Sequence, residues 1–111
     1  YFMRLILKKL FNTSVLASPA KAMRLYKILS LRVKNGKTVN LDFLGIQATT
    51  IAFLYIVFSN LIKECQKNIK EIKGLIYISN ASVSLMQEIE YLKENYKQVG
   101  KKIDPLKLSF V

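Results

Sequence analysis

The sequence predicts an α/β domain of order β-α-β-α-β-α-β, with a short, mostly parallel sheet and packed helices. Segments whose apolar residues recur at helical spacing alternate with short β-rich runs, and the connections from strand to helix are only a few residues long. Such alternation implies parallel strands joined by right-handed helical crossovers, because a twisted strand and a helix pack back onto one sheet in that way. The length of 111 residues and the 51% share of hydrophobic residues add that this is one domain, residues 1–111 with a core of about 14–99. A chain of that size and apolarity buries enough surface to fold alone and is too apolar for an intrinsically disordered tail.

From Phe2 to Leu10, Met3, Leu5 and Leu7 alternate with Arg4, Ile6 and Lys8, a period near two that fits a half-buried first strand, with a helix as the alternative. Ser18 followed by Pro19 opens the first helix, since the hydroxyl can accept an orphan N–H and the ring fixes φ for the first helical position. That helix runs to about Val33, with Ala22, Leu25, Tyr26, Leu29 and Val33 on one side and Lys21, Arg24 and Arg32 on the other,. It stops at Asn35-Gly36, both tolerant of left-handed angles.

Thr38 to Gly45 is a β-rich run bounded by turn residues and predicts the second strand,. Thr49 or Thr50 caps the next helix, whose Ile51, Phe53, Leu54, Tyr55, Ile56, Val57, Phe58, Leu61 and Ile62 are apolar on nearly every side, the mark of a buried helix,. Lys63 to Lys73 is lysine-rich and surface-like. It leads into Gly74 to Ser79, a continuous apolar run expected for a central strand covered on both faces,. The third helix starts at Ser82 or Ser84 and reaches about Val99, with Val83, Met86, Ile89, Leu92 and Tyr96 on one stripe. Ser84 and Gln87 have capping-box spacing and Gly100 supplies the stop. After Pro105, the alternation of Leu106 to Val111 suggests a last edge strand.

Composition excludes several function classes. There is no His among the 111 residues, which removes Ser-His and Cys-His nucleophile pairs and most catalytic zinc sites. A lone Cys65 allows no internal disulfide and points to a reducing, cytoplasmic setting; flanked by Lys63 and Lys67 but without a His, it reads as a packed thiol,. No Walker loop or dinucleotide fingerprint is present,. The expectation is a protein that is not an enzyme and takes no cofactor and no metal. The most apolar stretch, Ala48 to Ile62, is too short to span a bilayer, which takes about 20 residues,, and Lys8 and Lys9 interrupt any signal-peptide core near the N-terminus,.

The net charge of +11 is concentrated. Residues 1–40 carry Arg4, Lys8, Lys9, Lys21, Arg24, Lys27, Arg32, Lys34 and Lys37 with no acid. Such a block attracts phosphate backbones, anionic lipid or acidic protein by screened Coulomb forces, although a solvated basic face explains it equally. Lys21, Arg24, Lys27, Arg32 and Lys34 make the best candidate surface for nucleic acid or phosphate. Tyr26 lies among them but belongs to the apolar stripe,.

The segment Val39 to Leu54, V-N-L-D-F-L-G-I-Q-A-T-T-I-A-F-L, resembles the core of STAS domains, found in bacterial anti-sigma-factor antagonists and in sulfate-transporter cytoplasmic regions, and more closely the STAS-like branch of small bacterial proteins. The shared pattern is a strand ending in L-D-F or L-D-L, a G-I or G-V turn, a short polar loop and a long apolar helix containing F-L. The upstream S-V-L-A-S-P-A-K-A-M-R-L resembles the stretch before that branch's first helix, so the likeness extends over residues 14 to about 80. The resemblance implies a regulatory protein-interaction module with a kinase-like or anti-sigma-type partner. In the antagonists the helix opens with D-S-S-G or D-T-S-G, whose hydroxyl residue after the Asp is phosphorylated. That tetrapeptide falls on Thr50, Ile51, Ala52 and Phe53, so the acceptor position holds Ile51. Thr50 and Thr49 are the remaining hydroxyls that could take a phosphate, where a helix N-terminus would stabilise it; simple capping is the plainer role.

Asp42 stands at the carboxyl end of a strand, where α/β sheets tend to place sites, but has no second carboxylate nearby in sequence to share a metal,. It reads as a polar anchor for the following turn. The expected partner-binding set is Asp42, Gln47, Thr49 and Thr50, with a basic nucleic-acid-binding or phage- or defence-related role for the N-terminal block as the competing reading. The apolar excess leaves room for a homodimer burying part of the second or third helix.

Overall fold

The computed structural model describes residues 3–66 and 69–95. Three parallel strands, β1 (Met3–Ile6), β3 (Val39–Asp42) and β5 (Ile76–Ser79), form a sheet of order β1-β3-β5. Met3, Val39 and Ile76 stand in register, as do Arg4, Asn40 and Tyr77, then Leu5, Leu41 and Ile78, then Ile6, Asp42 and Ser79. Because side chains alternate along a strand, this register sorts the sheet into two unlike faces. Met3, Leu5, Val39, Leu41, Ile76 and Ile78 share one face, while Arg4, Ile6, Asn40, Asp42, Tyr77 and Ser79 share the other.

Two right-handed crossovers progressing in one direction put their helices on the same side of the sheet. Helix α2 (Pro19–Lys34) and helix α3 (Ile51–Cys65) accordingly pack against each other and join the apolar face in one core, through Leu25, Leu29 and Val33 of α2 and Phe53, Leu54, Val57 and Leu61 of α3. Helix α5 (Val83–Glu94) also packs on α3, through buried Leu85, Ile89 and Leu92.

Helix starts follow local chemistry. The Ser18 Oγ accepts from the Lys21 N–H with Pro19 at the first helical position, and Ser82 accepts from Leu85 N–H ahead of α5. Gly36 takes the left-handed conformation after α2, whereas Asn35 does not. Thr50 caps α3 through its Oγ1, which accepts from Phe53 N–H at 3.1 Å. Thr50→Ala should therefore lower stability by about 1 kcal/mol, read as a fall in the urea midpoint with unchanged slope.

Several expectations are corrected. The first strand ends at Ile6, and residues Leu7–Phe11 form a short helix, α1, because Leu7 and Phe11, four apart, both bury. Lys63 to Lys73 is not a plain surface stretch: α4 (Ile69–Leu75) occupies much of it and buries Ile72 completely. The apolar run 74–79 gives only a four-residue strand. Among the described strands β3 is the central one, and β5 leaves Tyr77 53% exposed. On α5 the buried stripe is Leu85, Ile89 and Leu92; Val83 and Met86 point to solvent. Its cap is Ser82 and not Ser84, and the helix ends at Glu94 with Asn95 as C-cap. The short ladder of β2 (Val15–Leu16) and β4 (Ala48–Thr49), also parallel, was not foreseen. The expected stop at Gly100 and last strand from Leu106 to Val111 lie outside the described residues.

Candidate functional site

The carboxyl ends of the strands meet at Asp42. Its side chain is fully buried, and every oxygen position is used. Oδ1 accepts from Leu44 N–H and from Asn80 Nδ2, both at 2.9 Å. Oδ2 accepts from Arg4, through Nε at 3.0 Å and through Nη2. A buried carboxylate is tolerated only when paired and hydrogen-bonded in this manner. The Asn80 amide, then the Arg4 guanidinium and the Leu44 N–H, hold the Asp42 carboxyl at about 2, below its ordinary 3.8,. Asp42 thus ties β1, the turn after β3 and the turn after β5 into one assembly. The anchoring role read from sequence is present, and direct contact with a partner is closed to it by burial.

Beyond Asp42 the chain turns sharply. Phe43 N–H bonds to the Ser79 carbonyl, and Ile46 N–H closes a turn onto the Phe43 carbonyl. Gly45 sits third in that turn at φ 85, the backbone of a type II turn, which needs glycine there. A Cβ at this position would lie 2.6 Å from Lys8 Cδ. Gly45→Ala should cost about 1–3 kcal/mol through the positive φ alone, measurable by thermal unfolding; the lysine tail can swing aside. The loop is then bound to the N-terminal segment, because Gln47 N–H donates to the Ser14 carbonyl at 2.7 Å and Thr50 N–H to the Leu16 carbonyl at 3.0 Å.

Held in this way, Ile46, Gln47, Ala48 and Thr49 face Ser82, Ser84, Leu85 and Glu88 of the α5 N-terminal region across a cleft of about 200 Å³. Of the expected residues, Gln47 and Thr49 line it. Thr50 lies at its edge as an exposed cap, and Ile51, first residue of α3, is half-buried. Thr49 Oγ1 is shut off from solvent and has no hydrogen-bond partner among the described residues. From sequence Ser82 and Ser84 read only as helix caps and Arg4 only as part of the basic block, and Glu88 and Asn80 are not singled out as site residues. Nothing local marks them, since adjacency of β3 and β5 alone brings residues 46–49 and 80–88 together.

The basic candidates do not gather at this cleft. Arg24, Lys27 and Lys34 share the outward stripe of α2 with Leu31, while Lys21 and Arg32 sit on its flank. Arg24 stacks over the Phe11 ring at 5.6 Å, Arg32 donates to the Thr38 carbonyl, and Lys34 pairs with Glu64. Cys65 is half-buried, its thiol 3.9 Å from the Ser30 carbonyl. Among the described residues no group of three or more His, Cys, Asp or Glu side chains could hold a metal ion, and no helix is long and apolar enough to cross a membrane.

Comparison with known families agrees with this core. The family model described as a STAS-like domain of unknown function (DUF4325) matches residues 21–86. No curated protein and no solved structure matches the chain. The matched stretch runs from the first turn of α2 through β3, the loop and α3 to β5 and the opening of α5, so it holds every residue lining the cleft except Glu88. A match over more than half of the sequence, on the elements that build the sheet and its loop, makes this chain a member of the STAS-like domain family.

Proposed function

We propose that this chain acts as a single, cytoplasmic, non-catalytic regulatory module that binds a protein partner through the loop 44–50 and the N-terminal turn of α5. The observation that carries this reading is the cleft between Gln47 and Thr49 on one side and Ser82, Ser84 and Glu88 on the other, at the strand ends where α/β folds present their sites. Asp42 supports it indirectly. With both oxygens committed to structural donors, the carboxylate positions the loop and has no capacity left for acid, base or metal work. The STAS resemblance suggests a regulator of the kinase-like or anti-sigma type as partner.

In this reading Thr50 is the residue a kinase would modify. It is exposed at the N-cap of a 15-residue helix, where a phosphate would meet unpaired amides and the positive end of the dipole, whereas the Thr49 hydroxyl is out of reach. The test is a photo-crosslinking residue at position 47, compared with one at position 27, in cells that make the protein. A discrete protein adduct from position 47, lost on Ser84→Arg and retained in high salt, supports the proposal. Adducts from position 27 only, or adducts unaffected by Ser84→Arg, refute it.

The competing nucleic-acid reading rests on the shared outward stripe of Arg24, Lys27 and Lys34, with Lys21 and Arg32 beside it. Three of these five are engaged within the chain, which weakens it. A labelled single- or double-stranded oligonucleotide should give no mobility shift at about 150 mM salt, where binding by phosphate contacts alone is already strongly reduced.

A further inference from the structure

We infer that the protein pairs with a second copy of itself, the basic outer stripe of α2 seating on the acidic, apolar outer face of α5, independently of what the loop binds. Two surfaces on one molecule carry this. On α2, Leu31 is 68% exposed between Lys27 and Lys34. A leucine at the centre of a basic stripe suits a protein surface with an apolar pocket and an acidic rim better than a phosphate backbone.

Such a surface exists on α5. Val83 is 74% and Met86 38% exposed, and with Tyr91 they border a shallow concavity of about 470 Å³ rimmed by Glu90 and Glu94. Exposed apolar side chains grouped in this way mark an association site. The complementarity is specific to this chain: its net charge is +11, yet three of its seven acidic residues lie on the twelve-residue α5.

Helices α2 and α5 both pack on α3, each with its stripe on the side away from the buried residues. A two-fold axis that sets each α2 against the other copy's α5 uses both patches twice, as an isologous dimer requires. The overall positive charge opposes association at long range, but at about 150 mM salt the screening length is roughly 8 Å, which leaves the contact pairs.

The test is sedimentation equilibrium of the full chain at about 150 mM salt. Wild type should form dimers. Lys27→Glu with Lys34→Glu, or separately Glu90→Lys with Glu94→Lys, should each weaken the dimer by roughly tenfold or more. An equimolar mixture of these two variants should dimerise again, because one junction then keeps its original charges and the other carries both reversals. All four positions are on exposed faces; because Lys34→Glu also breaks the pair with Glu64 of the same chain, Leu31→Ser and Val83→Ser provide a second, charge-free pair that should also dissociate the dimer. A wild type that stays monomeric to about 1 mM, a dimer indifferent to both reversals and to the serine variants, or a mixture that fails to reassociate would each overturn the inference.

Discussion

Phe53→Ala is expected to remove about 3–5 kcal/mol of stability, the cost of deleting a large buried aromatic and leaving a void that neighbours fill only in part. Phe53 is 1% exposed and its ring meets Phe11 edge-on, with centroids 6.4 Å apart and planes at 88°, which adds to the area term. It joins α3 to α1, an element with only five residues and no capping side chain of its own. Since domains of this size are stable by about 5–15 kcal/mol in total, the substitution should leave the protein marginal. Chemical denaturation checks it: the midpoint should collapse, while Phe53→Leu should retain much of the stability. Little change on Phe53→Ala would mean that α3 does not pack as described.

Asp42→Asn is the second large effect. The amide keeps the shape of the side chain and one acceptor oxygen, but it turns a donor toward the Arg4 guanidinium, itself only a donor. The remaining amide oxygen, now uncharged, accepts more weakly from both Leu44 N–H and Asn80 Nδ2,. A drop in Tm of about 10 °C is expected. Arg4→Ala should cost clearly less, because the Arg4 side chain is 56% exposed and water can replace it on one side of the carboxylate. The same network sets a pH dependence. The carboxyl titrates at about 2 when folded against 3.8 as the ordinary value, so the unfolded chain binds its proton first as acid is added. The contribution is therefore complete above the unfolded value and is lost as pH falls from about 4 towards 2. Thermal unfolding across that range should show the loss in wild type and a much flatter profile in Asp42→Asn.

Much of the fold could be read locally because its helices announce themselves. Ser18-Pro19 begins α2 where expected, Thr50 begins α3, and the apolar face of α2 buries as its spacing indicates. What escaped depends on contacts distant in sequence or on elements too short for periodicity. A five-residue α1 continues the alternation of β1 for one further position, and the helical spacing of Leu7, Leu10 and Phe11 covers too few residues to mark a helix by itself,. In α4 the lysines and Gly74 mask a helix that is fixed by one deeply buried residue, Ile72. Strand order is likewise absent from periodicity: β5 is as apolar as a central strand, yet among the described strands β3 takes the middle.

The candidate site shows the same division. Its loop was legible through Leu41-Asp42, Gly45 and the paired threonines, which specify a strand end, a glycine turn and a helix cap. The opposite wall was not, because Ser82, Ser84 and Glu88 reach the loop only once β5 lies beside β3. The partners of Asp42, Arg4 and Asn80, are each 38 residues away, and no local pattern pairs them. The basic block shows the reverse error: contiguous in sequence, it is divided in space, with Arg4 drawn to the sheet and Arg24, Arg32 and Lys34 each engaged along α2.

The central claim is that a buried, fully bonded carboxylate at the end of β3 holds the loop in place between β1 and β5. Following the side-chain carboxyl carbon of Asp42 by NMR through an acid titration tests it most directly. A midpoint near 2 is predicted; a midpoint close to 4, that of a carboxyl in water, would contradict the account.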